Sequence, residues 1–293
     1  MPELPEVETV KRGLAPTMEG ARLERLELRR ADLRFPFPPN MESLLSGKKI
    51  EALSRRAKYL LIYFEGGLAL VCHLGMSGSF RVLDSVVGDF KHVRSKIAAH
   101  DHVVFHLIDD SGEKSQVIYN DPRRFGFMFM GTTANIFDNP HLSSLGLEPT
   151  GNALDGPALA QMMEGKAAPL KSALLDQSLI AGLGNIYVCE ALWRSHLSPK
   201  RKAGTLVKSN GAPTPKCNML AQHIRDVIAD AIEAGGSSLR DHVQTDGSMG
   251  YFQHNFAVYD REGQACNHAN CRGTIKRITQ SGRSTFYCWA CQR

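Results

Sequence analysis

The sequence predicts an α+β fold in three consecutive parts: an N-terminal β-sandwich or barrel with flanking helices, a helical domain, and a cysteine-rich C-terminal β-hairpin. Short β-branched and aromatic segments separated by Gly and Asp turns occupy residues 22–130. A helical hydrophobic period begins after residue 156, and four of the seven cysteines lie between residues 266 and 291. These three observations predict the order of the parts.

The composition is that of a globular chain. It has 293 residues, 43% hydrophobic and 22% charged, which is long enough for two domains. No apolar run approaches the roughly 18 residues of a membrane helix, and the acidic, proline-containing start is unlike a secretory signal. We therefore expect a cytoplasmic protein without a membrane span. Residues 261–293 contain six Arg and Lys against one acidic residue, in a chain of net charge +5. This basic tail is a weak indication of a phosphate-bearing partner.

The N-terminal elements follow from periodicity. A helix is predicted at residues 4–15, because Val7, Val10 and Leu14 share one face and Pro16 follows. Strands are then expected at residues 22–28, 58–64, 68–73, 102–108, 116–119 and 125–130.

The helical part begins after a polar stretch that ends at residue 156. Pro157 and Pro169 suit the first turns of helices, residues 186–197 are amphipathic, and an apolar stripe runs over 220–232. Residues 208–216 have the composition of an exposed loop. The predicted segments are an N-terminal domain at 1–131, a linker at 132–156, a helical domain at 157–258 and a hairpin at 259–293.

The cysteine spacing is the strongest local signal. Cys266-x4-Cys271 and Cys288-x2-Cys291 are two close pairs separated by the length of a hairpin. Four thiolates of this kind converge on one structural zinc ion, and four unliganded thiols are the less favoured reading. The basic residues Lys276, Arg277 and Arg283 lie between the pairs. A zinc hairpin fits a non-catalytic binding module as well as an enzyme. Cys72, Cys189 and Cys217 are expected to be buried, incidental thiols.

The second signal is the N-terminus. Once Met1 is removed, Pro2 carries a secondary amine whose neutral, nucleophilic fraction near pH 7 exceeds that of a lysine. Glu3 lies beside it as a candidate acid. The residues alone leave two interpretations open: a nucleophile with its acid, or a Pro-Glu pair that merely opens a helix.

Five spaced motifs resemble one family. They are Met1-Pro-Glu-Leu-Pro-Glu-Val-Glu, His73-Leu-Gly-Met76-Ser-Gly, Asp121-Pro-Arg123-Arg124-Phe125-Gly126, Gly182-Leu-Gly-Asn185-Ile-Tyr and Thr285-Phe-Tyr-Cys288-x-x-Cys291. In this order, they resemble the formamidopyrimidine-DNA glycosylases over essentially the whole chain. The resemblance implies an N-terminal β-sandwich, a helix-two-turns-helix domain and a zinc hairpin, with DNA in the cleft between the domains. It also implies a bifunctional glycosylase and abasic-site lyase that removes 8-oxoguanine and ring-opened purines.

The resemblance assigns catalytic roles. Pro2 corresponds to the Schiff-base nucleophile and Glu3 to the acid that protonates the sugar as the base leaves. Lys58 corresponds to the lysine at the tip of a β turn that assists β-elimination and contacts phosphate, whereas a lysine between strand residues is otherwise expected to be solvated. Arg283 corresponds to the hairpin arginine that binds phosphate and takes part in δ-elimination. Glu6 corresponds to a residue that helps to order the site.

The resemblance also assigns contacts with DNA. Phe125 would wedge into the base stack, Arg123 would hydrogen-bond the orphaned cytosine, and Met76 would fill the vacated space. Core packing is the alternative for Met76 and Phe125. The remaining phosphate or base-site contacts are His100, Lys166, Lys171 and Asn185. Residues 244–252 fall where the family has a mobile base-recognition loop. The segments 84–99, 106–119 and 208–216 are longer than the common pattern.

Two alternatives remain beside the purine-specific enzyme. One is the sister subgroup that removes oxidised pyrimidines, against which Leu4-Pro5 and the Arg123-x-Phe125 wedge argue. The other is a non-catalytic zinc-hairpin DNA-binding protein, which has no need of a nucleophilic terminus. We expect a monomer that acts on damaged double-stranded DNA, with one structural zinc ion and no nucleotide cofactor.

Overall fold

The computed structural model describes residues 2–84, 98–237 and 252–293. The chain divides into two compact units, Met1–Ser143 with Ala234–Tyr251, and Ser144–Glu233 with Phe252–Arg293. The sequence predicted a finer division into four segments, and the bounds of those segments stay a prediction. It assigned residues 234–251 to the helical domain, whereas the structure groups them with the first unit. Ser237 belongs with the first unit because its backbone N–H and hydroxyl both bind the Glu6 carboxylate.

The first unit contains three helices and eight strands among its described residues. In chain order these are α1 (Leu4–Met18), β1 (Arg22–Leu28), α2 (Met41–Leu45), β2 (Ile50–Arg56), β3 (Tyr59–Phe64), β4 (Leu68–His73), β5 (Ser79–Asp84), β6 (Asp101–Ile108), β7 (Lys114–Asn120), β8 (Phe127–Thr132) and α3 (Pro140–Ser143). Short 3-10 turns lie at Ala98–His100 and Ile136–Asp138.

The strands form two antiparallel sheets of four strands each. Their orders are β1-β6-β7-β5 and β2-β3-β4-β8. Alternate side chains of both sheets, such as Ile62 and Phe105, meet in one buried cluster with Val10 and Leu14 of α1. The shared core makes this unit a β-sandwich, and it fixes α1, the helix that begins two residues after Pro2.

The second unit is helical and ends in a hairpin. Its elements are α4 (Gly156–Met163), α5 (Leu170–Leu174), α6 (Asn185–Arg194), α7 (Pro215–Glu233), β9 (Ile275–Gln280) and β10 (Arg283–Cys288), with 3-10 turns at Ala203–Leu206 and Phe252–Asn255. α4 and α6 pack on α7, and β10 packs on α6. The predicted α+β class is confirmed. No helix in the described ranges is long and apolar enough to cross a membrane.

Three local predictions were wrong. α1 continues through Pro16 to Met18, because a proline in the last turn removes only one helical hydrogen bond and Glu19 N still binds Ala15 O. Pro169 is the N-cap of α5 and not its first residue. The predicted loop at 208–216 is shorter, because α7 already begins at Pro215.

Candidate active site and metal centre

Pro2 and Glu3 are buried at the start of α1. The Glu3 N–H donates to Glu6 Oε2 at 2.8 Å, as in a capping box. Glu6 Oε1 accepts from the backbone N–H and the hydroxyl of Ser237, both at 2.8 Å. These three donors orient the Glu6 carboxylate and fix the backbone beside Pro2.

Lys58 lies in the turn between β2 and β3, where Ala57 is left-handed with φ 51°. Arg55 donates to Ala57 O at 3.0 Å and to Glu8 Oε2 at 3.0 Å. Lys58 is only 7% exposed, so the expectation of a solvated lysine does not hold. Glu8 and Arg55 therefore connect α1 directly to the turn that holds Lys58.

The charges around this turn are strongly perturbed. Burial alone would raise the pKa of Glu8, but hydrogen bonds from Lys11, Arg55 and Arg12 outweigh it and lower the pKa to about 2. Burial, followed by the positive charge of Lys58, lowers the pKa of His73 to about 4. His73 is thus neutral near pH 7, and it adds no second positive charge beside Lys58.

Asp121 organises the loop that presents Arg123 and Phe125. Its carboxylate is fully buried and accepts from Ser77 Oγ at 2.5 Å, Gly126 N at 2.8 Å and Tyr119 OH at 3.3 Å. Ser77 Oγ in turn accepts from Arg123 N at 3.2 Å. One buried carboxylate therefore ties this loop to the turn that contains Ser77.

Met76 lies in that same turn. Gly75, with φ 62°, allows the two segments to touch, since a Cβ there would come within 2.3 Å of the Phe125 carbonyl carbon. Phe125 is 43% exposed, and the Arg123 guanidinium lies 4.8 Å from its ring centroid. The structure thus brings Met76, Arg123 and Phe125 together, and Phe125 is not part of the core.

His100 ends a 3-10 turn beside the Asp121 loop. Its carbonyl accepts from Asp121 N at 3.0 Å, and its ring lies 6.5 Å from that of His102. His102 Nε2 bonds to Asp121 O at 2.9 Å, and burial lowers the pKa of His102. His100 is thereby positioned next to the loop that presents Arg123.

In the second unit, Arg283 is exposed at the tip of the hairpin. It pairs with Gln280 across a two-residue turn in which Ser281 and Gly282 have φ 48° and 72°, as in a type I′ turn. The next residue, Ser284, accepts at its carbonyl from Lys171 Nζ at 3.1 Å and from Asn185 Nδ2 at 2.9 Å. The strand that begins with Arg283 is therefore fastened to α5 and α6.

The two predicted lysine contacts lie in different environments. Lys171 is fully buried, and its ammonium also donates to Thr285 Oγ1 at 2.7 Å, so the structure does not present it to a phosphate. Lys166 is half-buried in the segment between α4 and α5. Asn185 is the first residue of α6, whose N-cap Gly184 offers no side-chain hydrogen bond. This helix start suits an anion.

The cysteines Cys266, Cys271, Cys288 and Cys291 fit a structural metal site. Their sulfur atoms lie within 4.8 Å of one another. The Sγ–Sγ distances are 3.7 Å for Cys266–Cys291 and 3.6 Å for Cys271–Cys288, too long for disulfides. Cys72, Cys189 and Cys217 are buried, as predicted.

Comparisons with known proteins identify the family of this chain. Residues 1–128 match the Formamidopyrimidine-DNA glycosylase N-terminal domain, and residues 145–243 match the Formamidopyrimidine-DNA glycosylase H2TH domain. A protein from Rhizobium etli, named Formamidopyrimidine-DNA glycosylase, is 64% identical with both chains fully covered. This chain belongs to the formamidopyrimidine-DNA glycosylase family. A Chelativorans relative of the same name is 61% identical, again over the full length of both chains.

Solved members of the family have the same fold. Wild-type Lactococcus lactis Fpg bound to DNA containing N7-benzyl-Fapy-dG is 32% identical, with a TM-score of 0.83 and full coverage of both chains. The same enzyme with abasic-site DNA is 32% identical, with a TM-score of 0.84 and 99% coverage of each chain. The helical part of the second unit is thus the H2TH domain of this family.

Several supporting residues were not identified from the sequence. Ser237, Arg55 and the Asp121 carboxylate orient other side chains, and Glu190 on α6 accepts N–H bonds from Ala257, Val258 and Tyr259 at 2.8–3.0 Å. The Glu3-x-x-Glu6 spacing, that of a capping box, is the local signal that could have indicated such an orienting role for Glu6. The predicted base-recognition loop at 244–252 lies outside the described residues except for Phe252, as does most of 84–99.

Proposed function

We propose that this protein is a bifunctional DNA glycosylase and abasic-site lyase of base-excision repair. Its substrates would be oxidised purines, 8-oxoguanine and formamidopyrimidines, in duplex DNA. The observation that carries the proposal is the buried start of α1, where Glu6 and Ser237 fix the backbone beside Pro2 and Glu3. Full-length relatives that carry the glycosylase name support it.

The chemistry begins at the Pro2 amine after removal of Met1. The amine nitrogen forms a bond to the sugar C1′ as the bond between C1′ and the damaged base breaks, and the departing base takes up the amine proton. Glu3 then protonates the sugar ring oxygen as the bond between C1′ and that oxygen breaks, which opens the ring. A secondary amine yields a positively charged iminium. The iminium acidifies the C2′ proton, so the 3′-phosphate leaves by β-elimination, and the 5′-phosphate then leaves by δ-elimination. Lys58 assists the first elimination and Arg283 the second.

The exposed Arg123 and Phe125, beside the half-buried Met76, suit the gap left by an extruded nucleotide. Chemistry at C1′ in a duplex requires the damaged base to leave the stack. Phe125 would wedge against the neighbouring bases, Arg123 would bind the orphaned cytosine, and Met76 would occupy the gap. The rigid Asp121 network allows these side chains to enter the duplex without reorganisation of their loops.

Phosphate contacts are proposed for the side chains of His100, Lys166 and Arg283, which lie at loops or turns. For Asn185, whose side-chain amide binds Ser284, the contact is proposed through its backbone N–H at the start of α6. For Lys171 we propose a positioning role: its buried ammonium binds Ser284 and Thr285, which follow Arg283 in β10. It thereby sets the place of Arg283 without touching DNA.

We further propose that the metal is one zinc ion. Zinc–thiolate bonds of about 2.3 Å in a tetrahedron separate the sulfur atoms by about 3.8 Å. The two observed separations of 3.7 and 3.6 Å are close to that value. When bound, zinc would stiffen the hairpin. We also propose that the enzyme acts as a monomer on chromosomal DNA in the cytoplasm.

An excision assay tests the substrate class. Matched duplexes with 8-oxoguanine opposite cytosine and with thymine glycol are incubated with excess enzyme, and the rates of base release are compared. We expect faster release of 8-oxoguanine. A clear preference for thymine glycol would favour the oxidised-pyrimidine alternative, while tight binding without release of either base would favour a non-catalytic DNA-binding protein.

A further inference from the structure

Three stacked rings connect the first cysteine segment of the metal site to the end of α6. The first segment of the metal site, Cys266-x4-Cys271, carries His268. The His268 ring lies between those of Trp193 and His196, at centroid distances of 3.8 and 4.0 Å and interplanar angles of 3° and 22°. Trp193 belongs to the last turn of α6, and His196 is the residue after the C-cap of that helix, Ser195.

Two of these rings also reach the metal-binding sulfurs. Trp193 Nε1 lies 3.3 Å from Cys266 Sγ, and His268 Nδ1 lies 3.2 Å from Cys291 Sγ. A metal-bound thiolate has no hydrogen to donate, so the ring nitrogens must be the donors. The indole N–H can only donate. Each cysteine pair thus has one sulfur that accepts an N–H bond from a ring.

The backbone of His196 supports a role for its side chain. His196 N binds Trp193 O and Leu197 N binds Leu192 O, both at 3.0 Å, which is the pattern of a Schellman motif. The left-handed residue of that motif is usually glycine, yet here it is a histidine with φ 53°. A left-handed non-glycine residue persists where its surroundings hold it in place. For His196, the ring contact that the structure shows is the stack on His268.

We propose that Trp193 and His268 are positioning residues that donate N–H···S hydrogen bonds to the metal-bound thiolates, and that His196 holds the His268 ring in place. Outer partners of this kind orient the ligands and slow their loss from the metal. The three-ring stack therefore controls how long the hairpin keeps its metal. This inference rests on the proposed metal site and does not depend on the glycosylase chemistry.

The test is metal release from the full-length protein. The zinc content per chain is measured first, and zinc transfer to excess chromogenic chelator is then followed in time. Trp193→Phe keeps a ring in the stack but removes its N–H, so we expect about tenfold faster release. The cobalt-substituted protein gives a second readout, because loss of the N–H bond to Cys266 should shift the sulfur-to-cobalt charge-transfer band. This shift is expected whether or not Trp193→Phe also loosens the fold.

His196→Gly distinguishes the effect of the His196 ring on metal release from the effect of its left-handed backbone. Glycine relieves the left-handed strain, so a ring without a role would give unchanged or slower release, whereas the proposal predicts faster release. Asn40→Gly is the matched control, because Asn40 is also left-handed, with φ 57°, but lies in the first unit without a side-chain cap bond. We expect this control to release zinc at the wild-type rate.

The outcomes are distinguishable. One zinc per chain, with wild-type release rates and an unshifted cobalt band in the Trp193 and His196 variants, would overturn the role of the stack alone. A protein that takes up no metal would overturn the metal site as well. Neither result would bear on the base-excision assay, which measures the proposed function separately.

Discussion

The start of α1 and the tip of the hairpin both present residues proposed to act on the sugar-phosphate backbone, but they are held in different ways. Pro2 and Glu3 are buried and oriented by hydrogen bonds within the first unit, through Glu6 and Ser237. Arg283 is exposed, and its strand depends on Lys171, Asn185 and the four cysteines. We therefore expect base release to depend on the β-sandwich alone. We expect δ-elimination and tight binding to DNA to depend on the metal-dependent hairpin.

The largest expected effect lies at the α1 start. Glu3→Gln removes the proposed acid while keeping the shape of the side chain, and we expect single-turnover release of 8-oxoguanine to fall about 100-fold or more. Glu24→Gln is the control, because Glu24 forms an exposed ion pair with Lys114. Equal rates for wild type and Glu3→Gln would remove Glu3 from the mechanism.

Loss of the metal should affect only the second region. Cys288→Ser, or treatment with a strong chelator, is expected to weaken duplex binding by at least about tenfold, because the hairpin loses its fixed shape. Circular dichroism should still report the folded β-sandwich. Collapse of all secondary structure on chelation would contradict the independence of the two regions.

A smaller effect is expected when the hairpin keeps its metal but loses the hydrogen bonds from Lys171 that hold β10 against α5. Lys171→Met removes two hydrogen bonds and leaves the buried Thr285 hydroxyl without its donor, which should cost about 1–3 kcal/mol of stability. Strand cleavage products should shift from δ- to β-elimination, with base release nearly unchanged. The control is Lys216→Met on the exposed first turn of α7. A fall in base release equal to that of δ-elimination would argue against the positioning role.

The smallest effect concerns acid stability of the α1 region. The pKa of Glu8 is lowered from 4.5 to about 2 in the folded protein, so its contribution to stability is present above pH 4.5 and is lost as the pH falls toward 2. Between pH 5 and 3, the melting temperature of Glu8→Gln should fall less steeply with decreasing pH than that of the wild type. Parallel curves for both proteins would show that Glu8 is not preferentially stabilised as a carboxylate.

Local sequence patterns predicted the parts of the fold that depend on local periodicity. The apolar stripe of α7, strands such as β4 and the cysteine pairs are examples. β2 was missed because its sequence, Ile-Glu-Ala-Leu-Ser-Arg-Arg, alternates poorly and is stabilised by pairing with β3. Tertiary pairing of this kind leaves no local signal.

The site shows the same limit. The five motifs pointed to the residues that present chemistry, but the residues that orient them come from distant parts of the chain. Lys171 meets Ser284, and Glu6 meets Ser237, across more than 100 residues in each case. Burial of a lysine amine depends on those distant partners, so the sequence predicted Lys171 as a phosphate or base-site contact, whereas the structure buries it.

The most direct test of the account is borohydride trapping on an 8-oxoguanine duplex, followed by peptide mass spectrometry. The account predicts one reduced covalent adduct on the nitrogen of Pro2, with Met1 absent, in both the zinc-loaded and the zinc-depleted protein at duplex concentrations that restore binding. An adduct on Lys58, or no adduct despite tight binding to the duplex, would contradict the claim that the start of α1 carries the chemistry.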